Sequence, residues 1–353
     1  MMLIYGVEDW IKLGTESELN FDLKFNEKVA NGIKGSRILL TGATGLIGSS
    51  ILSLLNEVAR VTKFEFSLFT HSTSRLKSES KLEFLQPKHQ VGNLTSNLGA
   101  LSNQKYDLII HAGGPAQPLD FMRRKNETFL INSVVTEGLL NLLESDGRFV
   151  FLSSSELYSG LRKDFFLESD IGTSTPSHPR ACYIEGKRAG EMFVNWGRED
   201  GKHASSLRLS YTYGPGSKAG DLRVINQLIE SAIKSNRIEL KDSGAAVRTN
   251  LYIADAAKMI LSVLLNPIRE VYNIGGVQIS SIKQIAELIA AITNSQLTIP
   301  SFNTSYGIFS QESVRLDISA YTEDFGLPTF TKLDQGLRQT IEWQRLNLYG
   351  GVS

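Results

Sequence analysis

Short apolar runs alternate along the chain with longer stretches whose apolar residues recur every three or four positions. Arg37-Ile38-Leu39-Leu40, Phe66-Ser67-Leu68-Phe69, Asp107-Leu108-Ile109-Ile110-His111, Arg148-Phe149-Val150-Phe151-Leu152 and Ser205-Ser206-Leu207-Arg208-Leu209 have the length of strands. Runs like these, apolar on both faces, predict a parallel sheet covered on both sides. Between them, Leu46 to about Ala59 and Asn132 to Leu143 read as amphipathic helices. The alternation from about 35 to 210 predicts an α/β fold, a Rossmann-type doubly wound parallel sheet with ligands at the C-terminal strand ends.

Beyond Gly214-Pro215-Gly216 the texture becomes more helical and mixed. Leu222 to Ser235, Ser281 to Ile292 and Arg338 to Leu346 read as helices, and Asn273-Ile274-Gly275-Gly276 as a strand end and turn. The expected division is therefore an N-terminal extension over 1–34, a dinucleotide-binding domain over 35–213, and mainly a smaller mixed α/β substrate-binding domain over 214–353. In the extension, Glu8 to Leu13 and Leu19 to Val29 are weakly helical. That segment either covers the core or meets a neighbouring subunit. No internal repeat or low-complexity tract is present.

The first predicted strand runs into Thr41-Gly42-Ala43-Thr44-Gly45-Leu46-Ile47-Gly48. Glycines at 42, 45 and 48 permit a tight turn, close approach of backbone to a pyrophosphate, and close helix–strand packing. The helix that follows offers amide donors and a partial positive charge. Downstream, Tyr183-Ile184-Glu185-Gly186-Lys187 places a phenol and an ammonium one helical turn apart on one face. An ammonium beside a phenol favours the phenolate, so a base is expected there. Ser153-Ser154-Ser155-Glu156 ends a strand and offers a hydroxyl to the oxygen being deprotonated. With a nicotinamide nearby, this is equipment for oxidising an alcohol.

Composition narrows the classes. Lys+Arg and Asp+Glu both number 37 in 353 residues, which argues against nucleic acid or an anionic membrane as partner. Cys182 is the only cysteine, so no intrachain disulfide can form and a reducing, cytoplasmic setting is expected. It reads as a small packed residue. No apolar run reaches the length of a membrane span, and the N-terminus lacks the layout of a signal peptide. The five histidines, at 71, 89, 111, 178 and 203, lack ligand spacing, so no metal is expected. His111, at a strand end, reads as structural.

Together these motifs resemble the extended short-chain dehydrogenase/reductase family of nucleotide-sugar enzymes, over roughly residues 36–345. Thr41 to Gly48 matches its Thr-Gly-x-x-Gly-x-x-Gly. Pro179-Arg180-Ala181-Cys182-Tyr183-Ile184-Glu185-Gly186-Lys187-Arg188 and His111-Ala112-Gly113-Gly114-Pro115-Ala116-Gln117-Pro118 look most like the UDP-glucuronate decarboxylases (UDP-xylose synthases) of that family. Ser154-Ser155-Glu156-Leu157-Tyr158 resembles the decarboxylases and the GDP-mannose 4,6-dehydratases alike.

The resemblance implies a catalytic set of Ser154, Glu156, Tyr183 and Lys187. Tyr183 takes the C4 hydroxyl proton, Lys187 lowers its pKa and holds the nicotinamide ribose, and Glu156 lies near C5 and C6. It implies NAD held by Gly42, Thr44, Gly45, Leu46, Ile47, Gly48, His71, Asn93, Leu94, Ala112, Gly113, Gly114, Ser153, Tyr183 and Lys187. It implies a nucleotide sugar held by Pro115, Ser155, Tyr211, Arg223, Arg248 and Arg315, with Arg248 on the diphosphate. A homodimer through helices near 126–143 and 183–198 is also implied, with Phe193, Val194 and Trp196 as apolar candidates. Three departures stand out. The second strand ends Phe69-Thr70-His71-Ser72 with Arg75 soon after and no carboxylate, which leaves NADP open. Tyr211 replaces the family's usual Asn, and Lys241 a Tyr near uracil. Dehydratase or epimerase chemistry on another sugar remains an alternative, as does a non-catalytic nucleotide sensor.

Overall fold

The computed structural model describes residues 16–71, 82, 84–101, 104–300 and 313–350. Glu8 to Leu13 and Arg75 lie outside the described residues. The first element, α1 (Glu16–Ile33), is followed by β1 (Arg37–Thr41), α2 (Leu46–Val58), β2 (Glu65–Thr70) and β3 (Lys88–Val91). A short helix α3 (Leu94–Asn97) leads to β4 (Tyr106–His111), α4 (Pro118–Arg123), α5 (Lys125–Asn132), α6 (Val134–Leu140) and β5 (Leu143–Ser154). Then come α7 (Ala181–Glu199) and β6 (His203–Leu209).

The seven-stranded sheet has the order β10-β6-β5-β4-β1-β2-β3, where β10 is Val271–Ile274, and every pairing is parallel. Successive strand residues point to opposite faces, and the core divides accordingly. Ile38, Leu40, Leu108, Ile110, Val150 and Leu152 face a layer formed by α1, α2 and α9 (Ile253–Leu265). Leu39, Phe69, Ile109, Phe149 and Phe151 face α5, α6 and α7. Strand order reverses between β1 and β4, and the carboxyl ends there line up, Thr41 beside His111. That crevice is where an open α/β sheet binds ligands.

Two outcomes go beyond the sequence pattern. The helix expected over Asn132–Leu143 is broken at Ser133 (φ −112°, ψ −89°) into α5 and α6, and β5 begins already at Leu143. The described part of the extension covers the core: Val29, Ala30 and Ile33 are fully or nearly fully buried against α2 and α9.

The second lobe is built on β9 (Val247–Tyr252), which pairs with β7 (Tyr211–Tyr213), β11 (Ile279–Ser281) and β13 (Ser313–Val314). Strands β8 (Arg237–Glu239) and β12 (Gln296–Thr298) form a small parallel pair. Its core joins Ile225, Leu228 and Ile229 of α8 (Val224–Ser235), Ile285 and Ile289 of α10 (Ile282–Thr293), and Leu337 and Ile341 of α12 (Leu333–Asn347). Ser281 and Gln284 form a capping box at the start of α10. The remaining helix, α11 (Ser319–Phe325), returns Tyr321 to the sheet's core. Residue 214 is thus a change of layer rather than a cut: α9 and β10 lie beyond it, yet cover and extend the large sheet.

Candidate active site

The glycine turn is shaped by contacts that no larger residue permits. Gly42 has φ +74°, and a Cβ there would meet the Ala112 carbonyl oxygen at 2.4 Å. At Gly48 a Cβ would lie 2.1 Å from the Gly42 oxygen, so α2 starts as close to the turn as backbone allows. Gly45 is the N-cap of α2 and supplies no side-chain cap, nor is there an acidic residue in the first turn. The first amides of α2 are therefore left without a side-chain cap, and the cradle suits a pyrophosphate. Leu46 contributes backbone only, because its side chain belongs to the core of the second lobe.

The turn is tied to the neighbouring strand end by His111. This imidazole is buried and donates from Nε2 to the Ile131 carbonyl (2.9 Å). Its Nδ1 accepts from Thr41 Oγ1 (2.8 Å), which in turn accepts from the Gly113 amide (3.1 Å). Burial pushes its pKa down to about 3. His111 is a neutral strut between β1, β4, α5 and the 112–114 loop, in keeping with its structural reading. Asn93 caps α3, its Oδ1 accepting from the Thr95 amide (3.0 Å), with Leu94 buried beneath. His71 is exposed just past β2.

The candidate reacting groups converge from β5 and α7. Ser154 ends β5, its Oγ accepting from the Glu156 amide (3.2 Å), and it lies close enough to Tyr183 to favour the ionised phenol. Lys187 lies one turn further along α7, its Nζ 5.6 Å from the Tyr183 ring centroid and 4.6 Å from that of Phe151. It donates to the Leu152 carbonyl at 2.5 Å. Here the expectation of a depressed phenol needs correction. Burial dominates and pushes Tyr183 up to about 12, the neighbouring Ser154 side chain only partly offsetting it. The ammonium meets a carbonyl and two ring faces rather than the phenol oxygen, and burial lowers its own pKa to about 7. Ser153 points the other way along the strand: its Oγ donates to buried Glu191 (2.5 Å), which also takes Arg208. Only the backbone of Ser153 remains for a ligand.

Three contributors escaped the sequence reading. Arg180, three residues before Tyr183, donates to Glu156 Oε1 at 2.6 Å. Its proximity to Tyr183 in the chain was the available signal. Phe121 of α4 stacks on the Tyr183 ring, and nothing in sequence 62 positions away announces it. Glu191 sits one turn beyond Lys187 on α7. Cys182 is half-buried, its Sγ 3.5 Å from the Phe121 carbonyl, and burial pushes the thiol pKa up. Among the described residues no cluster of His, Cys, Asp or Glu has the makings of a metal site.

Candidate substrate residues gather in the second lobe. Tyr211, half-exposed, faces the Arg248 guanidinium (5.2 Å to the ring centroid). Arg248 is buried on β9 in register with Val314, so Arg315 follows on the adjacent strand, its Nε buried without a partner. Arg223 is paired with Asp221, near enough to Tyr183 to act on its charge. Pro115 and Ser155 are buried close to the loop and strand end, whereas Lys241 is exposed.

The chain is similar to UDP-glucuronic acid decarboxylase 1 of Xenopus tropicalis, 26 % identical over 325 residues, covering 88 % of this chain and 73 % of the relative. It is 28 % identical over 319 residues to UDP-glucuronic acid decarboxylase 6 of Arabidopsis thaliana, covering 88 % and 90 %. Among solved structures it shares the fold of an epimerase of Methanothermobacter thermautotrophicus (TM-score 0.77, 17 % identity, 92 % and 96 % covered). The same holds for UDP-glucose 4-epimerase of Thermotoga maritima (TM-score 0.71, 22 % identity, 88 % and 98 % covered). A family model spans residues 38–275, from the first strand of the sheet to just past the last, and on that match the chain belongs to the NAD dependent epimerase/dehydratase family.

Proposed function

We propose that this enzyme is a nucleotide-sugar decarboxylase of the UDP-glucuronate type, working through a 4-keto sugar. The pairing of Glu156 with Arg180, close to Ser154 and Tyr183, carries the reading. Arg180 puts a guanidinium, the side chain best shaped for a carboxylate, next to the group expected at C5 and C6. Glu156 Oε1 is engaged by that guanidinium, an arrangement suited to orienting a substrate more than to stripping a C5 proton. The curated relatives that carry the decarboxylase name support the same choice.

Bound NAD, held by the glycine turn, the α2 amides and the 112–114 loop, supplies the acceptor and later donor of the C4 hydride. Tyr183 takes the C4 hydroxyl proton, and Ser154 keeps a hydrogen bond on the same oxygen. The resulting ketone lies β to the carboxylate at C6. As that carboxylate leaves as CO2, electrons of the C5–C6 bond move onto the C4 oxygen, where Ser154 and Tyr183 stabilise the growing charge. A proton then reaches C5. We assign the diphosphate to Arg248 and Arg315, and the buried, unpartnered Nε of Arg315 supports that assignment.

Incubation with UDP-glucuronate, followed by mass spectrometry, tests the proposal: the product should be lighter by one CO2. An unchanged mass across wild type and NAD-supplemented protein overturns it. Tyr211 and Lys241, where the resembled decarboxylases carry Asn and Tyr, favour a second reading. In it the same 4-keto chemistry serves another sugar, by dehydration or epimerisation. Loss of water, or an altered retention time at constant mass, from UDP-, GDP-, dTDP- or CDP-hexoses would reveal it. We further read the chain as a cytoplasmic homodimer. Trp196 and Val134 are about half exposed on α7 and α6, which supports that reading, while Val194 is core. No helix among the described residues is long and apolar enough to cross a membrane.

A further inference from the structure

The Tyr183 phenol is gripped by a ring that the proton chemistry itself does not require. Phe121 lies parallel to it, ring centroids 4.6 Å apart and planes 13° from each other. Phe121 is 2 % exposed. Its carbonyl accepts from Cys182 Sγ (3.5 Å) and from Thr128 Oγ1 (3.3 Å), which ties α4 both to the residue before the base and to α5. Helix α4 begins at Pro118, directly after the loop whose Gly113 amide is bonded to Thr41. A chain of contacts therefore runs from the glycine turn to the base.

We propose that Phe121 is a positioning residue for Tyr183: its stacked ring fixes the plane of the phenol and its π face opposes charge on that ring. The inference rests on the reading of Tyr183 as the base and deepens it. The first half follows from geometry. A phenol's O–H and in-plane lone pairs lie in the ring plane, so that plane sets the direction in which the proton moves. The helix restricts the first side-chain torsion, but the second is broad for an aromatic residue. A parallel neighbour narrows it. Turning the ring leaves the oxygen in place yet rotates its lone pairs away from Ser154 and the substrate oxygen.

The second half follows from electrostatics. An aromatic face carries the negative end of its quadrupole. In parallel contact, Phe121 presents that face to a ring over which a phenolate spreads its charge. The charged groups facing Tyr183 are Lys187 on its own helix, Glu156 after β5, Arg180 before α7 and Arg223 before α8. Arg180 and Arg223 favour the phenolate, whereas Lys187 has lost its charge at the alkaline pH where the phenol titrates. Glu156, burial and the Phe121 face oppose it.

The test uses the whole protein with 3-fluorotyrosine at position 183, whose fluorine resonance reports the ionisation of that one phenol without any substrate. Three residues are compared at 121: phenylalanine, pentafluorophenylalanine and leucine. Pentafluorophenylalanine keeps the shape and reverses the quadrupole. Its expected effect is a titration midpoint lower by roughly half a unit or more, the size of a stacking term. For Phe121→Leu we expect kcat to fall roughly 10- to 100-fold, with KM within about threefold and recovery in Phe121→Tyr. A midpoint unmoved by the fluorinated ring overturns the electrostatic half. Wild-type kcat in Phe121→Leu overturns the positioning half. Should Phe121→Leu fail to fold, the near-isosteric fluorinated ring decides, through midpoint and kcat together. Failure on UDP-glucuronate would sink the substrate reading but leave the fluorine titration fully readable, so the two failures are distinguishable.

Discussion

Replacing Lys187 by methionine should make the protein more alkali-insensitive and, near neutral pH, no less stable, while abolishing its activity. Lys187 is nearly fully buried, and its ammonium has one carbonyl acceptor and two ring faces for company. Its pKa falls from 10.5 to about 7. A difference of about 3.5 units corresponds to about 5 kcal/mol carried by the folded state whenever the charge is present. The sign follows from proton counting. Between pH 7 and 10.5 the unfolded chain holds a proton that the folded chain has released, so stability rises with pH across that window. Below pH 7 both states are protonated and the burden is at its full size. From pH 7 to pH 9 this group alone should add about 2 kcal/mol to wild-type stability. In Lys187→Met that increment disappears. The variant loses a hydrogen bond to Leu152 (~1–3 kcal/mol for the orphaned carbonyl) and a cation–π contact with Phe151 (~1–2 kcal/mol). These losses roughly balance the relief of about 4 kcal/mol expected at pH 7. Urea unfolding of both proteins at pH 7, 8 and 9 gives the answer. Parallel stability curves would refute the reasoning, because they would mean that the ammonium is not held at a cost. The same substitution should cost at least ~100-fold in kcat, the usual scale for a lost acid–base or positioning group.

Other consequences follow from the same contacts. His111 should make the protein acid-labile: its folded pKa lies below the unfolded one, so stability is lost as pH falls from about 6.5 towards 3. At pH 4 the loss is about 3 kcal/mol relative to pH 7, and His111→Gln should flatten that slope in denaturant titrations. Ser154→Ala should lower kcat by ~100-fold or more. Ser153→Ala, which only removes a donor from Glu191, should keep kcat within about tenfold and cost about 1 kcal/mol in unfolding experiments. Gly48→Ala puts a Cβ against the Gly42 carbonyl. It should destabilise by ~1–3 kcal/mol and weaken NAD binding measured calorimetrically, and wild-type binding would contradict the cradle.

Much of this protein was legible in its sequence because the relevant signals are local. Five strands of the large sheet follow from short apolar runs and the helices α2, α8, α10 and α12 from the 3.6-residue period, with boundaries close to those observed except that β5 and α12 each begin five residues earlier. Gly42 and Gly48 were readable because a tight turn and a close approach demand glycine in that spacing. Tyr183 and Lys187 share a helix, so four positions of sequence place them on one face. Ser154 ends a strand that the apolar run Phe149 to Leu152 announces.

The rest depends on distance in space rather than in sequence. Nothing local joins Phe121 to Tyr183, or Arg180 to Glu156 across 24 positions. Nothing local brings β10 back beside β6 after the excursion through the second lobe. The break at Ser133 and the docking of α1 onto α2 and α9 are likewise decided by packing. The reversal at the base has the same origin. A Tyr–Lys pair read from spacing predicts a depressed phenol, since spacing gives proximity but not solvation. Folding buries both groups, and burial taxes whichever form is charged. That raises the phenol, lowers the ammonium, and leaves their proton balance to the rings, carbonyls and ligands that only the tertiary structure assembles around them.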